Sequence, residues 1–287
     1  MFETLERSWR LVKGSLKLIL DHPKLLVFPL ISFGVFAVAF LLILFFGIFS
    51  VLGLSLALST TELKFFIYFI FILIAFLGPF IGTFFAVGLS SEVGELMQGK
   101  TPSFRRGFNH AYKNIKEIFL WSLTILAIKI IEGLLRGAAK KYGGGGLATK
   151  VGDGLVSILM AGWSFAISFV TPIMAFEDTN PFHSIKRSVQ LLKDTWGETL
   201  VGAIGAGTII GWLAMVPVVF LVFISFLNPL MFIITIPLIL IILIFSAVLS
   251  QVFNTVFMTV LYLYATKKDT QKAEKYFESD LIKHGFF

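Results

Sequence analysis

Between Leu25 and Tyr264 the chain consists largely of apolar runs too long for a water-soluble core. A helix rises 1.5 Å per residue, so ~20 apolar residues cross ~30 Å of hydrocarbon, and runs of 18 or more mark spanning helices. Six such runs are read: Leu25–Ser50, Phe65–Ser90, Ile118–Leu135, Leu155–Phe176, Thr199–Phe226 and Leu238–Tyr264. Leu200–Ala265 is one apolar stretch interrupted by Pro217, Pro229 and Pro237, so three short spans also fit there. Asn228-Pro229 is its best single turn, which gives two. With 57% hydrophobic residues, 33 Phe and a mean hydropathy of +0.90, no soluble fold hides this surface. The predicted class is an all-α integral membrane protein of about six transmembrane helices.

Charge orients them. Lys and Arg number 5 before the first span, 5 between the second and third, 3 between the fourth and fifth and 5 in the tail, against 1, 4 and 0 in the opposite loops. The positive-inside rule then predicts a multi-pass protein of the cell (cytoplasmic) membrane with both termini cytoplasmic. The net charge of +7 points to anionic lipid headgroups as partners; nucleic acid is not expected, since no basic soluble patch exists. The first apolar run extends well beyond a signal-peptide core, so no cleaved leader is expected. Without Cys there are no disulfides, thiolate metal sites or Cys nucleophiles.

"TLERSWRLVKGSLKLIL" (Thr4 to Leu20) and "SIKRSVQLLKDTWGETL" (Ser184 to Leu200) read as two copies of one charged helix. In the first, Leu5, Trp9, Val12, Leu16 and Ile19 form one helical stripe, with Arg7, Arg10, Lys13 and Lys17 elsewhere. In the second, Ile185, Val189, Leu192, Trp196 and Leu200 repeat the stripe among Lys186, Arg187 and Lys193. A fainter third copy has Phe104, Phe108, Ala111, Ile115 and Ile118 with Arg106 and Lys116. These copies precede spans one, three and five. They predict amphipathic interfacial helices whose basic side chains reach lipid phosphates, with a bend at His22-Pro23. The domain reading is a single transmembrane domain, 1–266, with possible pseudo-repeats 1–100, 101–180 and 181–266, followed by a cytoplasmic amphipathic tail, 267–287.

"TPIMAFEDTNPFHSIKRSVQLLKDTWGETLVG" (Thr171 to Gly202) resembles the membrane domain that accompanies glycerophosphoryl diester phosphodiesterases and related uncharacterised prokaryotic multi-pass families. More weakly, "LILDHPKLLVFPLIS" (Leu18 to Ser32) resembles the sulfate-permease-like family related to etoposide-induced protein 2.4. The resemblance implies a topology. It does not carry the phosphodiesterase activity, whose barrel signature begins His-Arg-Gly, because no His here is followed by Arg.

Candidate site residues are few. Lys129, Glu132 and Arg136 share one face of span three and Asp153 begins span four, a polar path if they lie within the membrane and a snorkelling group if the third span ends near Ile131. Glu92 and Glu95 end span two and Glu177 and Asp178 end span four, as a cation or proton relay site or, more simply, as partners for nearby Lys and Arg. Gly78, Gly82 and Ala86, followed by Ser90 and Gly94, and Ala203, Gly207 and Gly211 form helix-packing faces, within one chain or between subunits of a homo-oligomer or with a membrane partner. Pro79 and Pro172 are expected to kink spans two and four. "YGGGG" (Tyr142 to Gly146) is a flexible loop, lacking the Lys-Ser/Thr of a nucleotide site. No cofactor or metal is expected, and no catalytic constellation is present, so the chain reads as a non-enzymatic membrane scaffold or partner-binding component. The alternative is a channel or permease for a small solute, an anion included.

Overall fold

The computed structural model describes residues 2–54, 59–177, 179–194, 196–227 and 229–266; the predicted tail 267–287 lies outside them. Ten α-helices are found among these residues, and no strand. They are α1 (Phe2–Asp21), α2 (Val27–Leu54), α3 (Thr60–Met97), α4 (Phe104–Lys113), α5 (Ile115–Tyr142), α6 (Leu147–Ala166), α7 (Val170–Phe176), α8 (Pro181–Asp194), α9 (Trp196–Leu227) and α10 (Phe232–Ala265).

Five described helical segments are long and apolar enough to cross a bilayer: Pro23–Val51, Thr61–Met97, Ile115–Tyr142, Ala148–Phe176 and Phe232–Ala265. α9 adds the shorter apolar segment Ile210–Phe226. Leu200–Ala265 therefore holds two helices rather than three. Pro217 and Pro237 sit inside them, and a 3₁₀ turn at Pro229–Met231 makes the reversal.

Local chemistry sets the ends. α1 stops at Asp21 because Pro23 forces His22 out of helical geometry (φ −129°, ψ 69°). α3 starts on a capping box, in which the Ser59 amide donates to Glu62 Oε2 (2.9 Å) and the Glu62 amide donates to Ser59 Oγ. α5 does not fade at Gly133 and Gly137 but continues to Tyr142, ending in a turn with Gly144 and Gly145 at positive φ (62° and 76°). Span four breaks at residues 167–169, just ahead of Pro172, whereas α3 runs unbroken through Pro79.

The helices pair as three hairpins, α2 with α3, α5 with α6 and α9 with α10. The second arms meet one another: α3 packs on both α7 and α10, and α7 on α10. The core sits at that meeting, at one end of the molecule, here called basal. It is built from Ile81–Met97 of α3, Phe169–Ala175, and Val252–Leu263 of α10, capped by α1, α4 and α8. Phe28, Phe169, Phe253, Phe257 and Tyr262 are its largest fully buried side chains. Toward the opposite, distal end, apolar residues such as Phe45, Phe69, Leu134, Ile158, Val219 and Ile233 are exposed.

The three charged helices form where expected, and each buries part of its predicted stripe. Of the predicted stripes, Val12, Ile19, Ala111, Ile118 and Leu192 are buried and Phe104 and Ile185 pack against the core, whereas Leu16, Phe108, Ile115 and Val189 are exposed and Ser15, Gly107, Ser184 and Ser188 join the buried faces. The small residues on these faces let the helices approach closely.

Candidate functional site

The polar residues of the described molecule converge on the basal layer. Glu92, near the end of α3, is 0% exposed, and an isolated carboxylate there is costly. Its charge is met on both oxygens. Arg106 of α4 donates from Nε to Oε1 (2.8 Å) and from Nη2 to Oε2 (2.6 Å), and the Ser103 amide donates to Oε2 (2.6 Å). Arg106 also reaches the Thr101 carbonyl, and Lys100 pairs with Glu95 at 2.7 Å. The hydrogen bond to Glu92 holds the Arg106 guanidinium above its ordinary range; burial opposes this, and the charges of Glu92 and Glu95 add to it.

A second latch follows α7. Glu177 Oε1 accepts from the buried Tyr262 hydroxyl of α10 (2.8 Å) and lies 3.5 Å from Arg187 Nε of α8. The Phe176 ring stacks on Tyr262 at 5.5 Å and lies against Gly94, where a Cβ would approach it to 2.5 Å. Ser90 and Thr259 share a buried hydrogen bond of 2.7 Å between α3 and α10. His110 Nε2 is 2.8 Å from the Ala175 carbonyl, which only accepts, so Nε2 carries the hydrogen. At the break in span four, Ser188 of α8 serves both freed backbone groups: its Oγ accepts from the Phe169 amide (3.1 Å) and donates to the Ala166 carbonyl (2.7 Å).

The α5 residues lie apart from this layer. Lys129 Nζ donates to Glu132 Oε2 (3.0 Å), and Arg136 donates to Glu132 Oε1 (3.0 Å) and, at 3.4 Å, to Ser157 of α6. Asp153 joins this group only through its backbone carbonyl, which accepts from Ser157 Oγ (2.8 Å), and its buried Oδ1 has no hydrogen-bond partner. The Lys129 side chain is 67% exposed, while Glu132 and Arg136 are half-buried between α5 and α6.

Among the predicted lipid-contacting residues, Lys13, Lys17, Lys116, Lys186 and Lys193 are exposed and Arg10 is half-buried. Arg106 and Arg187 turn instead to carboxylates, because Glu92 and Glu177 sit within reach in the layer beneath. Gly78 faces Phe36 of α2; around Gly82 and Gly211 no atom lies within 4 Å of a built Cβ; Ala86 is half-buried. The side chains of Arg7, Ala203 and Gly207, and all of Asp178, lie outside the described residues. Ser103, Thr259 and Tyr262 carry no sequence signal, since lone hydroxyls acquire roles only through the neighbours that folding brings; Ser188 stands in the repeated charged helix, but its bonds to the break in span four were not legible there.

A family model described as a family of unknown function (DUF6159) matches residues 62–272, more than two thirds of the chain. The chain belongs to DUF6159. No curated protein and no solved structure matches it. The DUF6159 region takes in both latches, the α5 face and Thr171–Gly202, and leaves α1, α2 and Leu18–Ser32 ahead of it. The description names neither the phosphodiesterase membrane domain nor the sulfate-permease-like family.

Proposed function

We propose that this DUF6159 chain is a non-enzymatic scaffold of the cytoplasmic membrane, with both termini and the basal layer on the cytoplasmic side. The observation that carries this reading is how the basal centre is filled. Where α3, α7 and α10 meet, the space is taken by Phe169, Phe253, Phe257 and Tyr262, and the carboxylates there are bound to Arg, Tyr or backbone donors. Buried polar groups satisfied in this way fix a joint and leave nothing to hand a solute along a path. Beyond the joint, the hairpins offer exposed apolar surface to lipid, to a second copy or to a membrane partner.

The resemblance of Thr171–Gly202 to the phosphodiesterase membrane domain accords with this topology and is used for no more. Anionic headgroups suit the exterior of the three basic helices. A cleft of about 560 Å³ beside α4 is lined by Arg105, Arg106, Asn109, His110 and Lys113 among others. Three units, 1–100, 101–180 and 181–266, account for the arrangement: α4 packs on α3 and α8 on α7, each on the end of the preceding unit, and α1 closes the circle on α9 and α10 of the last. Gly107 meets Gly88 and Ser188 meets Phe169 at the same sequence separation, and Arg106 and Arg187 each bind an acid of the preceding span.

The rival reading is a permease for a small anion along α5 and α6, and the buried, unpartnered Asp153 oxygen of α6, one turn before the Ser157 that Arg136 reaches, is the observation that favours it. Liposomes holding purified protein decide between them. Chloride, sulfate and phosphate efflux at the rate of empty vesicles is the expected result. Flux above that rate, lost in Lys129→Ala/Glu132→Ala, overturns the scaffold.

A further inference from the structure

A lipid-facing cleft between α2, α3 and α10, of about 240 Å³, is lined by Ser32, Phe33, Phe36, Gly78, Gly82 and Gln251 among others. Its hollow comes from the glycines: a Cβ at Gly82 would meet nothing within 4 Å, and one at Gly78 meets only the Phe36 ring. Ser32 is 5% exposed and makes no side-chain hydrogen bond among the described residues, and the half-buried Gln251 amide makes none either. Several hydroxyls of the described helices, Ser122, Ser225 and Thr235 among them, bond a carbonyl one turn back, whereas Ser32 lines the hollow without such a bond and beside an unbonded amide, a pair of donors open to an acceptor.

Depth narrows the acceptor. Ser32 is nine residues past Pro23, Gly82 ten before Glu92 and Gln251 eleven before Tyr262. At 1.5 Å per residue all three lie about 14–17 Å from the basal polar layer, near half of ~30 Å of hydrocarbon. Glycerolipid headgroups stay at the surface, and an acyl chain has no acceptor to offer. The cleft is smaller than the roughly 300–1,000 Å³ of drug-sized sites, so it takes one ring or a short length of chain. Phe33 and Phe36 supply aromatic walls suited to a flat ring.

We propose that this cleft binds an uncharged, membrane-dissolved lipid whose ring carries carbonyl oxygens, the prenylquinone class, with Ser32 and Gln251 donating to those oxygens. The site stands whether or not a solute crosses the protein. Its test uses the full chain in micelles or nanodiscs, with decylubiquinone as probe and decylbenzene, which lacks carbonyls, as control, read by native mass spectrometry and thermal shift.

Wild type is expected to take up one decylubiquinone saturably, with a raised Tm, and to ignore decylbenzene. Gly82→Leu, which fills the hollow, should lose binding. Ser32→Ala/Gln251→Leu, which keeps the shape and needs no new space, should weaken binding at least tenfold at unchanged basal Tm. Equal uptake of decylbenzene, no saturable uptake by wild type, or undiminished binding in the double variant overturns the proposal. So does a Gly82→Leu chain that passes from dimer to monomer, because the hollow then belongs to a second copy.

Discussion

At Glu92 a single carboxylate holds α3 to α4, and its burial decides what its partner is worth. Removing one side of a buried pair strands the other charge, so Arg106→Leu is expected to cost about 3 kcal/mol, toward the low end because Arg106 itself is partly exposed. Unfolding in detergent measures this. Glu92→Leu/Arg106→Leu should be less destabilised than the sum of the single changes, since the second removes a penalty that the first created. Gly94→Ala drives a methyl into the Phe176 ring, which Tyr262 holds from the other side, and should cost about 1–3 kcal/mol. Lys129→Ala should change stability by under about 1 kcal/mol, because the pair of an exposed lysine contributes little. Sequence reasoning placed Glu92 and Glu177 at span ends, as a relay site or as partners for nearby Lys and Arg, and read Arg106 as a lipid contact of the third charged helix. What it could not supply was their pairing, because nothing in the order of residues says that Tyr262, 85 positions after Glu177, arrives at its oxygen.

The helices themselves were legible, since apolar runs and basic stripes depend only on near neighbours along the chain. Proline signals were legible in kind: His22-Pro23 bends the chain as expected. The orientation of α1, α4 and α8 was legible in part: burial follows the apolar stripe at Val12, Ile19, Ala111 and Leu192, while Ser15, Gly107, Ser184 and Ser188 are buried only by the helices that folding brings against them. Ser188 makes this testable. Ser188→Ala leaves the Phe169 amide and the Ala166 carbonyl without their partner at the break in span four, at a cost of about 1–3 kcal/mol. Ser188→Thr, which keeps the hydroxyl, should lose less, and hydrogen exchange at Phe169 should rise in the alanine variant alone.

For the whole chain, the proposed orientation can be checked by cysteine chemistry, since no native Cys competes for the label. Single cysteines at Gly144, in the distal turn, and at Lys113, at the end of α4, should divide in intact cells. An impermeant maleimide is expected to label Gly144→Cys directly and Lys113→Cys only after permeabilisation; the reverse pattern inverts the protein. The concentration of the core at the basal end has a mechanical consequence. α3 and α10, of 38 and 34 residues, are about 57 and 51 Å long, well beyond the ~30 Å of hydrocarbon. A helix with surplus length meets a thinner or thicker bilayer by changing its tilt. Fastened at one end only, each hairpin can lean by itself, so adjustment to bilayer thickness falls on the distal leaflet while the basal latches keep their distances.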